Sequence, residues 1–352
     1  MRGRGDRLEQ LLVERELDRM LVTDLVNVRY LTGFTGTNGA CVCGPGLRLF
    51  FTDFRYTERA AAEVEGWESH TVEGDWLAAI AEHLTGVVGF EDDHLPVRTL
   101  ARLKEKLAEG VEPVPAGGAV ERLRRVKDEQ ELAAVAAASE LADEVWLWSV
   151  ERGLAGRGER EVARAAEARI RELGGDPSFP AIVAAGPNGA LPHAEPGERP
   201  IGKGELVVFD MGAKLDGYCS DGTRTYATGD PGESAREVYE VVREAQQASL
   251  EAISAGVKGE DVDAVARKII TDAGHGDRFG HGLGHGVGLE VHEGPRLSLR
   301  SDDVLEPGEV VTVEPGIYLP GELGVRIEDL VVVEQDGLRN LSGLPKTLQL
   351  VE

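Results

Sequence analysis

The chain has 352 residues, 41% of them hydrophobic and 29% charged, which suits a globular protein long enough for two domains with substantial cores. Its 63 acidic against 38 basic residues give a net charge of −25, so nonspecific nucleic-acid binding is disfavoured, and most of that charge is read as a solvated acidic surface. No apolar run approaches the roughly 20 residues of a membrane span, and the opening MRGRGDRLEQLL lacks the apolar stretch of a signal peptide.

Residues 6–17 read as a helix with Leu8, Leu11, Leu12 and Leu17 on one side, followed by a short strand at 20–23. The run 27–56 is read as β-rich segments separated by turn glycines, with Gly44-Pro45-Gly46 at a hairpin position. Cys41 and Cys43 fall in its apolar part. With Cys219 they are too few for a disulfide framework, and a reducing cytoplasm is expected. Helix and strand signals then alternate at 57–64, 76–84, 87–90 and 98–107, which predicts an α/β domain. The Pro/Gly-rich stretch 113–118 predicts the boundary, giving domains 1–120 and 121–352.

A long helical region is expected over 119–152. Trp146 and Trp148 within it lie two apart and cannot share a face, so one of them is read as an interface residue. A second helix is expected at 159–173, between Gly156 and Gly174-Gly175. From residue 180 the chain is strand-rich, with helices at 234–255 and 261–273 and no repeat at a period of 20–50 residues. Five of the eight histidines lie between His193 and His292, so the chemistry is sought there; His275 among them is read as a loop residue.

The segment 280–293, GHGLGHGVGLEVHE, carries glycine at every second position from Gly280 to Gly288. Each glycine costs a helix about 1 kcal/mol, so the segment is expected to be extended or looped, which removes the helical HExxH zinc reading despite the spacing of His281 and His285. Neither a Walker nor a Rossmann phosphate pattern is present. Imidazoles beside bare backbone suit a metal or a close-fitting substrate.

Acids surround that segment in sequence. A hairpin centred between Leu215 and Asp216 would set Asp210 directly opposite Asp221 on one face; the alternative makes Asp221 a turn acid and Asp210 a strand-end cap. Glu314 ends the β-branched run VVTVE and Glu328 stands before DLVVV, and glutamates at such places need compensation. Arg326 shares a face with Glu328 under a period of two, and a salt bridge between them is one expectation. Four carboxylates converging on histidine would repel one another unless divalent cations neutralised them, and two cations match the charge. Donors of oxygen and nitrogen without thiolate suit Mn²⁺, Co²⁺ or Zn²⁺.

Together, the two aspartates eleven residues apart, the GHGxGxxxHE run, the Glu of VEPGIY and the Glu of GVRIED resemble the pita-bread metallopeptidases. The N-terminal NVRYLTGFTG resembles the smaller domain of the aminopeptidase P, prolidase and creatinase branch. The resemblance covers nearly the whole chain. It implies an N-terminal creatinase-like α/β domain followed by a C-terminal pita-bread α+β domain, and two divalent ions, Mn²⁺ preferred, held by Asp210, Asp221, His285, Glu314 and Glu328. Asp221 and Glu328 would bridge them. His193, His281, His292 and Arg326 match positions that contact substrate or stabilise the intermediate, and Glu314 would shuttle the proton. The implied activity is hydrolysis of Xaa–Pro bonds in di- or oligopeptides by a cytoplasmic homodimer. A dipeptidase is preferred, with Arg296 proposed for the proline carboxylate and Arg300 second. An aminopeptidase P is the alternative, and a metal-free peptide-binding module is the non-enzyme alternative.

Overall fold

The computed structural model describes residues 3–351; Met1, Arg2 and Glu352, the ends of the two expected domain ranges, lie outside the described residues. By its internal contacts the chain divides into two compact units, residues 1–124 and 125–352.

In the first unit six strands form one mixed sheet in the order Glu68–Thr71, Leu47–Thr52, Ala40–Gly44, Arg19–Val22, Val87–Phe90, Glu112–Pro115. Leu21, Val42, Phe51 and Val88 from the sheet pack with Leu77, Ile80 and Leu103 from the helices Trp76–Ala81 and Val97–Lys104. Each such fully buried aliphatic or aromatic side chain stabilises the fold by roughly 1.5–3 kcal/mol. Cys41 and Cys43 are buried as free thiols inside this sheet. The hairpin at Pro45-Gly46 forms, with Gly44 opposite Leu47. The start of the run expected to be β-rich is instead a helix, Leu25–Thr32. Asp24 caps it by accepting from the Val26 amide at 3.0 Å, and Gly33 ends it at φ 84°. These end signals outweigh the β preference of Val26, Val28 and Tyr30.

The second unit is built twice over. A helix pair, Glu129–Val150 with Glu159–Glu172, is followed by strands; a second pair, Glu233–Glu251 with Gly259–Asp272, is followed by more strands. The second helices correspond position by position: buried Val162, Ala163, Ala166 and Ile170 recur one hundred residues on as Val262, Asp263, Ala266 and Ile270. Gly156 and Gly256 precede them at φ 82° and 85°, and Gly174 and Gly274 end them at φ 91° and 86°. The duplication has a period too long for a search at 20–50 residues. The helical region expected over 119–152 is two helices, because Asp128 starts a new one with a capping box closed by Glu131. Trp146 is buried against Phe209, whereas Trp148 lies under the guanidinium of Arg152 at 3.9 Å.

Two sheets bring the chemistry together. One holds Ile182–Ala185, Leu206–Asp210 and Thr223–Ala227. The other orders Glu293–Leu297, Gly284–Gly286, Val310–Val313, Asp329–Glu334 and Gly337–Asn340, and the ribbon of Gly316–Leu319 and Leu323–Arg326 lies between its strands in sequence. A bridge between Thr223 and Glu328 joins the two. No described helix is long and apolar enough to cross a membrane.

Candidate metal centre

Segment 280–293 is extended and looped: Gly284–Gly286 is strand and Glu293 begins the next one, and glycine is required at 284 because a Cβ there would lie 2.0 Å from the Thr312 carbonyl. That close approach seats His285 over the Val310–Val313 strand, with its amide donating to Thr312 Oγ1 at 3.1 Å. His285 Nδ1 faces the Gly286 carbonyl at 3.1 Å; assigned as donor there, it leaves Nε2 as a free lone pair. Nε2 lies 3.4 Å from Glu314 Oε1 and 3.6 Å from Asp221 Oδ2.

The two aspartates meet diagonally. The turn is Asp216-Gly217, both residues at positive φ (48° and 88°), as a two-residue hairpin loop requires, and the hairpin is therefore centred between them and not between Leu215 and Asp216. Asp210 faces Thr223, and Asp221 stands two residues before that partner. Diagonal neighbours on one face remain within reach, and carboxylate oxygens of Asp210, Asp221 and Glu328 all lie within 4.8 Å of one another.

Arg326 makes no described ion pair with Glu328. The Leu323–Arg326 strand ends at Arg326 and a new one begins at Asp329, so the alternation assumed across this stretch does not hold. Its guanidinium instead reaches Asp210 Oδ2 at 2.5 Å, Tyr318 Oη at 2.7 Å and Thr223 Oγ1 at 3.0 Å. Tyr318 continues the chain to His281 Nε2 at 3.0 Å, and His281 Nδ1 faces the Gly282 carbonyl at 2.8 Å. Both ring nitrogens of His281 are thus engaged. The Gly-rich loop is itself tied down by Asp263, which accepts from the Leu283 amide at 3.0 Å and holds Arg267 in a two-pronged pair, while Arg267 donates to the Phe279 and His281 carbonyls.

These ten residues (His193, Asp210, Asp221, His281, His285, His292, Arg296, Glu314, Arg326 and Glu328) line one cavity of about 360 Å³. Asp210, Asp221 and Glu328 are buried, and so is His285; His193, His292 and Arg296 are exposed at its edge. The Arg296 guanidinium has no described carboxylate partner, although its backbone amide donates to Asp303 at 2.8 Å. Arg300 lies outside this cavity, in a hollow that adjoins it.

The electrostatics are those of crowded acids. Burial first, then the neighbouring Glu328 and Asp210, pushes the Asp221 carboxyl well above the usual range. Burial, then Glu314 and Asp210, does the same to Glu328. Asp210 is raised by burial and less by Glu314, with Arg326 opposing. For Glu314 burial acts upward, but in the metal-free protein with a proton on His285 Nε2 the hydrogen bond and charge of that imidazolium, with His281 and Arg326, outweigh it and bring the carboxyl down to about 2. Burial keeps His281 below its ordinary value, and burial with His285 does so for His292.

Two buried oxygens, Asp210 Oδ1 and Glu328 Oε1, accept no hydrogen bond in the protein. A buried carboxylate oxygen without a donor costs on the order of 1–3 kcal/mol or more, and here both point into a cluster of acids that burial alone disfavours. Divalent cations meet that deficit, and the oxygen-and-nitrogen donor set fits them. Reading by residue type missed Tyr318 and Thr223, whose hydroxyl donates to Glu328 Oε2 at 2.7 Å, and the cavity walls Phe179 and Ile182. The only available signal for the first two was their place in VEPGIY and SDGTRT.

Residues 132–335 match the model of metallopeptidase family M24, and residues 4–126 match the creatinase/prolidase N-terminal domain. An Xaa-Pro dipeptidase of Pyrococcus furiosus is 36% identical over 99% of this chain and 100% of its own. Among solved structures, an Xaa-Pro dipeptidase from Bacillus anthracis superposes with a TM-score of 0.95 at 39% identity, covering 99% of each chain. An X-Pro aminopeptidase from Thermotoga maritima gives 0.90 at 35% identity, covering 96% of this chain and 99% of its own.

Proposed function

The chain belongs to metallopeptidase family M24, and from that membership we propose that it is an Xaa-Pro dipeptidase, cutting the bond between an N-terminal residue and a C-terminal proline. The observation that carries the dipeptidase choice is Arg296, a guanidinium without a described acidic partner on the wall of the cavity that holds the buried acids. An arginine so placed matches the free carboxylate that proline carries only in a dipeptide.

As a metallopeptidase the protein works with divalent metal ions. Asp210, Asp221, His285, Glu314 and Glu328 would hold two of them, Mn²⁺ in our proposal, with Co²⁺ or Zn²⁺ as alternatives for the same donors. When bound, the ions supply a water acidic enough to react near neutral pH and positive charge against the developing oxyanion. The chain's own groups do the rest. Glu314, on the wall of the cavity beside His285, accepts the proton that water loses and delivers it to the prolyl nitrogen, which must be protonated to leave. His292, which burial first holds below its ordinary value, donates to the oxyanion from the cavity wall. His193, at the exposed edge, closes over the substrate. His281 acts through Tyr318 on Arg326, which orients Asp210. We propose a cytoplasmic homodimer, the dimer being tested by light scattering.

The test compares Ala-Pro with its C-terminal amide in Mn²⁺. A charge-assisted hydrogen bond of about 1.5–3 kcal/mol predicts that the acid is cut roughly 10–100-fold faster, and that Arg296→Ala removes the difference. Equal rates for acid and amide would favour the aminopeptidase. Undiminished peptide binding with no bound metal and no cleavage would favour a binding module instead.

A further inference from the structure

His193 stands at the exposed edge of the cavity and its side chain makes no described hydrogen bond, so its place is set by the backbone that carries it. That backbone is the loop 186–197, which leaves the strand Ile182–Ala185 and returns to the start of the helix Glu159–Glu172, where the Arg160 amide donates to the Gly197 carbonyl at 3.0 Å. Arg326 holds the middle of the loop, its Nη1 donating to the Pro192 carbonyl at 3.2 Å. Both ends are held by a single residue.

Glu159, the first residue of that helix, is 1% exposed and takes three hydrogen bonds of 2.8 Å each. Oε1 accepts from the Ala185 amide, where the loop begins. Oε2 accepts from the Gly197 amide, where it ends, and from Asn188 Nδ2, which also donates to the Glu195 carbonyl at 3.2 Å. The nearest described cation, Arg199, lies 3.9 Å away, so the loop itself compensates the buried charge, through hydrogen bonds that the charge strengthens. The other half of the unit uses the same device from a different position. Asp263, on the helix Gly259–Asp272, ties down the loop that carries His281 by accepting from the Leu283 amide at 3.0 Å. One hundred residues earlier Asp263 corresponds to Ala163, and Glu159 corresponds to Gly259, so each half places a buried acid where its own loop needs one.

We propose that Glu159 is a positioning residue for the reaction: by pinning both ends of the loop 186–197 it fixes where His193 meets the substrate. The inference rests on the Xaa–Pro reading above and on the place given there to His193. Glu159→Gln keeps the shape of the side chain but offers one acceptor oxygen and an NH2 donor, so it satisfies at most two of the three donors and sets an N–H against the third. The loop then loses one of its fixed points and His193 its stance. The acids of the cavity share no described hydrogen bond with Glu159 and keep theirs.

Hydrogen–deuterium exchange and steady-state kinetics on the Mn²⁺-loaded protein test this. Exchange over residues 185–197 should be about tenfold faster in Glu159→Gln, the upper end for one hydrogen bond, and unchanged over 279–283. KM for Ala-Pro should rise roughly tenfold with kcat within about twofold, because a contact made to bound substrate is lost. Added to His193→Ala, Glu159→Gln should raise KM no further, since the two act as one. Asn188→Ala, at a half-buried residue, removes one of the three hydrogen bonds and should reproduce both changes at about threefold. Unaltered exchange over 185–197, exchange that rises equally across the unit, a loss confined to kcat, or KM effects that multiply in the double variant would each overturn the proposal, as would a KM that His193→Ala leaves unmoved. Faster exchange confined to 185–197 in a protein that does not cut Ala-Pro would keep the anchor and overturn the Xaa–Pro reading.

Discussion

Glu328 and Asp329 are neighbours in sequence and both are buried, yet the protein treats them oppositely. Asp329 is saturated: Arg224 donates at 2.7 Å, Asn340 at 2.9 Å, and Gln246 and Lys346 each at 3.0 Å. Burial acts to raise its carboxyl, and Arg224 and Lys346 overcome this and hold it below the usual range. Glu328 receives one hydrogen bond, from Thr223, keeps an oxygen with none, and lies among other acids that push it well above that range. Arg224 serves both sides, since its Nη1 also donates to the Thr223 carbonyl at 2.9 Å and to the Glu328 carbonyl. One acid is a structural counter-ion completed by the chain. The other is left incomplete, and its missing partner has to come from outside.

The contrast is open to breakage, most forcefully at Asp329. Asp329→Ala strands the buried Arg224 and the half-buried Lys346, and removing one partner of a buried pair costs about 3–5 kcal/mol. Urea denaturation of the metal-loaded protein should show that loss; a cost below about 1 kcal/mol would mean the network is not structural. At Glu328 the expectation reverses. Glu328→Gln should weaken metal binding and Ala-Pro cleavage by more than about 100-fold, the upper end for residues that only orient a ligand. The metal-free variant should be no less stable than metal-free wild type, because a charge that burial disfavours is gone. An unfolding cost like that of Asp329→Ala would place both acids in one class.

The smallest effect is in the pH dependence of the chelated protein. Asp210, Asp221 and Glu328 have raised folded values, so what they contribute is fully present below the unfolded carboxylate value of about 4 and is lost as pH rises through the raised ones. Asp329 has the opposite sign: its contribution is present above about 4 and lost as pH falls through its depressed value. Glu314, down to about 2, acts in the same sense as Asp329, and so do His281 and His292, whose lowered values let the fold gain stability as pH rises, so Glu328→Gln isolates one raised carboxyl from this background. In chelator the melting temperature of Glu328→Gln should therefore gain on that of wild type by on the order of a few degrees as pH climbs from about 4 toward neutrality, and Mn²⁺ should remove that gain. A difference between the two that stays constant over that range would remove the idea that Glu328 needs a cation.

Much of this was legible without coordinates, for local reasons. Helices with end signals could be read from spacing, as with Gly156 and Gly174 around Glu159–Glu172. Alternating glycines around His285 excluded a helix, because backbone entropy is a property of residue type. Acids beside β-branched runs announced a need for compensation, because burial disfavours charge wherever it occurs. The helix Leu25–Thr32 was hidden because its β-branched and aromatic residues carry strand preferences, while the signals that decide it sit at its ends.

Partner choice belonged to the tertiary structure. The sequence determined that the candidate acids, the histidines from His193 to His292 and Arg326 all fall in the second unit, but not which cation would meet which acid. Arg326 turned from Glu328 to Asp210 because a strand ends between Arg326 and Asp329, and the register of Asp210 against Thr223 followed from two positive φ angles at Asp216 and Gly217. Tyr318 gained its place from contacts to His281 and Arg326, residues brought beside it by the fold. Residue chemistry is carried by each position alone, whereas satisfaction of a buried charge depends on atoms distant in sequence. That is why a sequence lists candidate groups, and only the folded chain shows that Asp329 is complete and Glu328 is not.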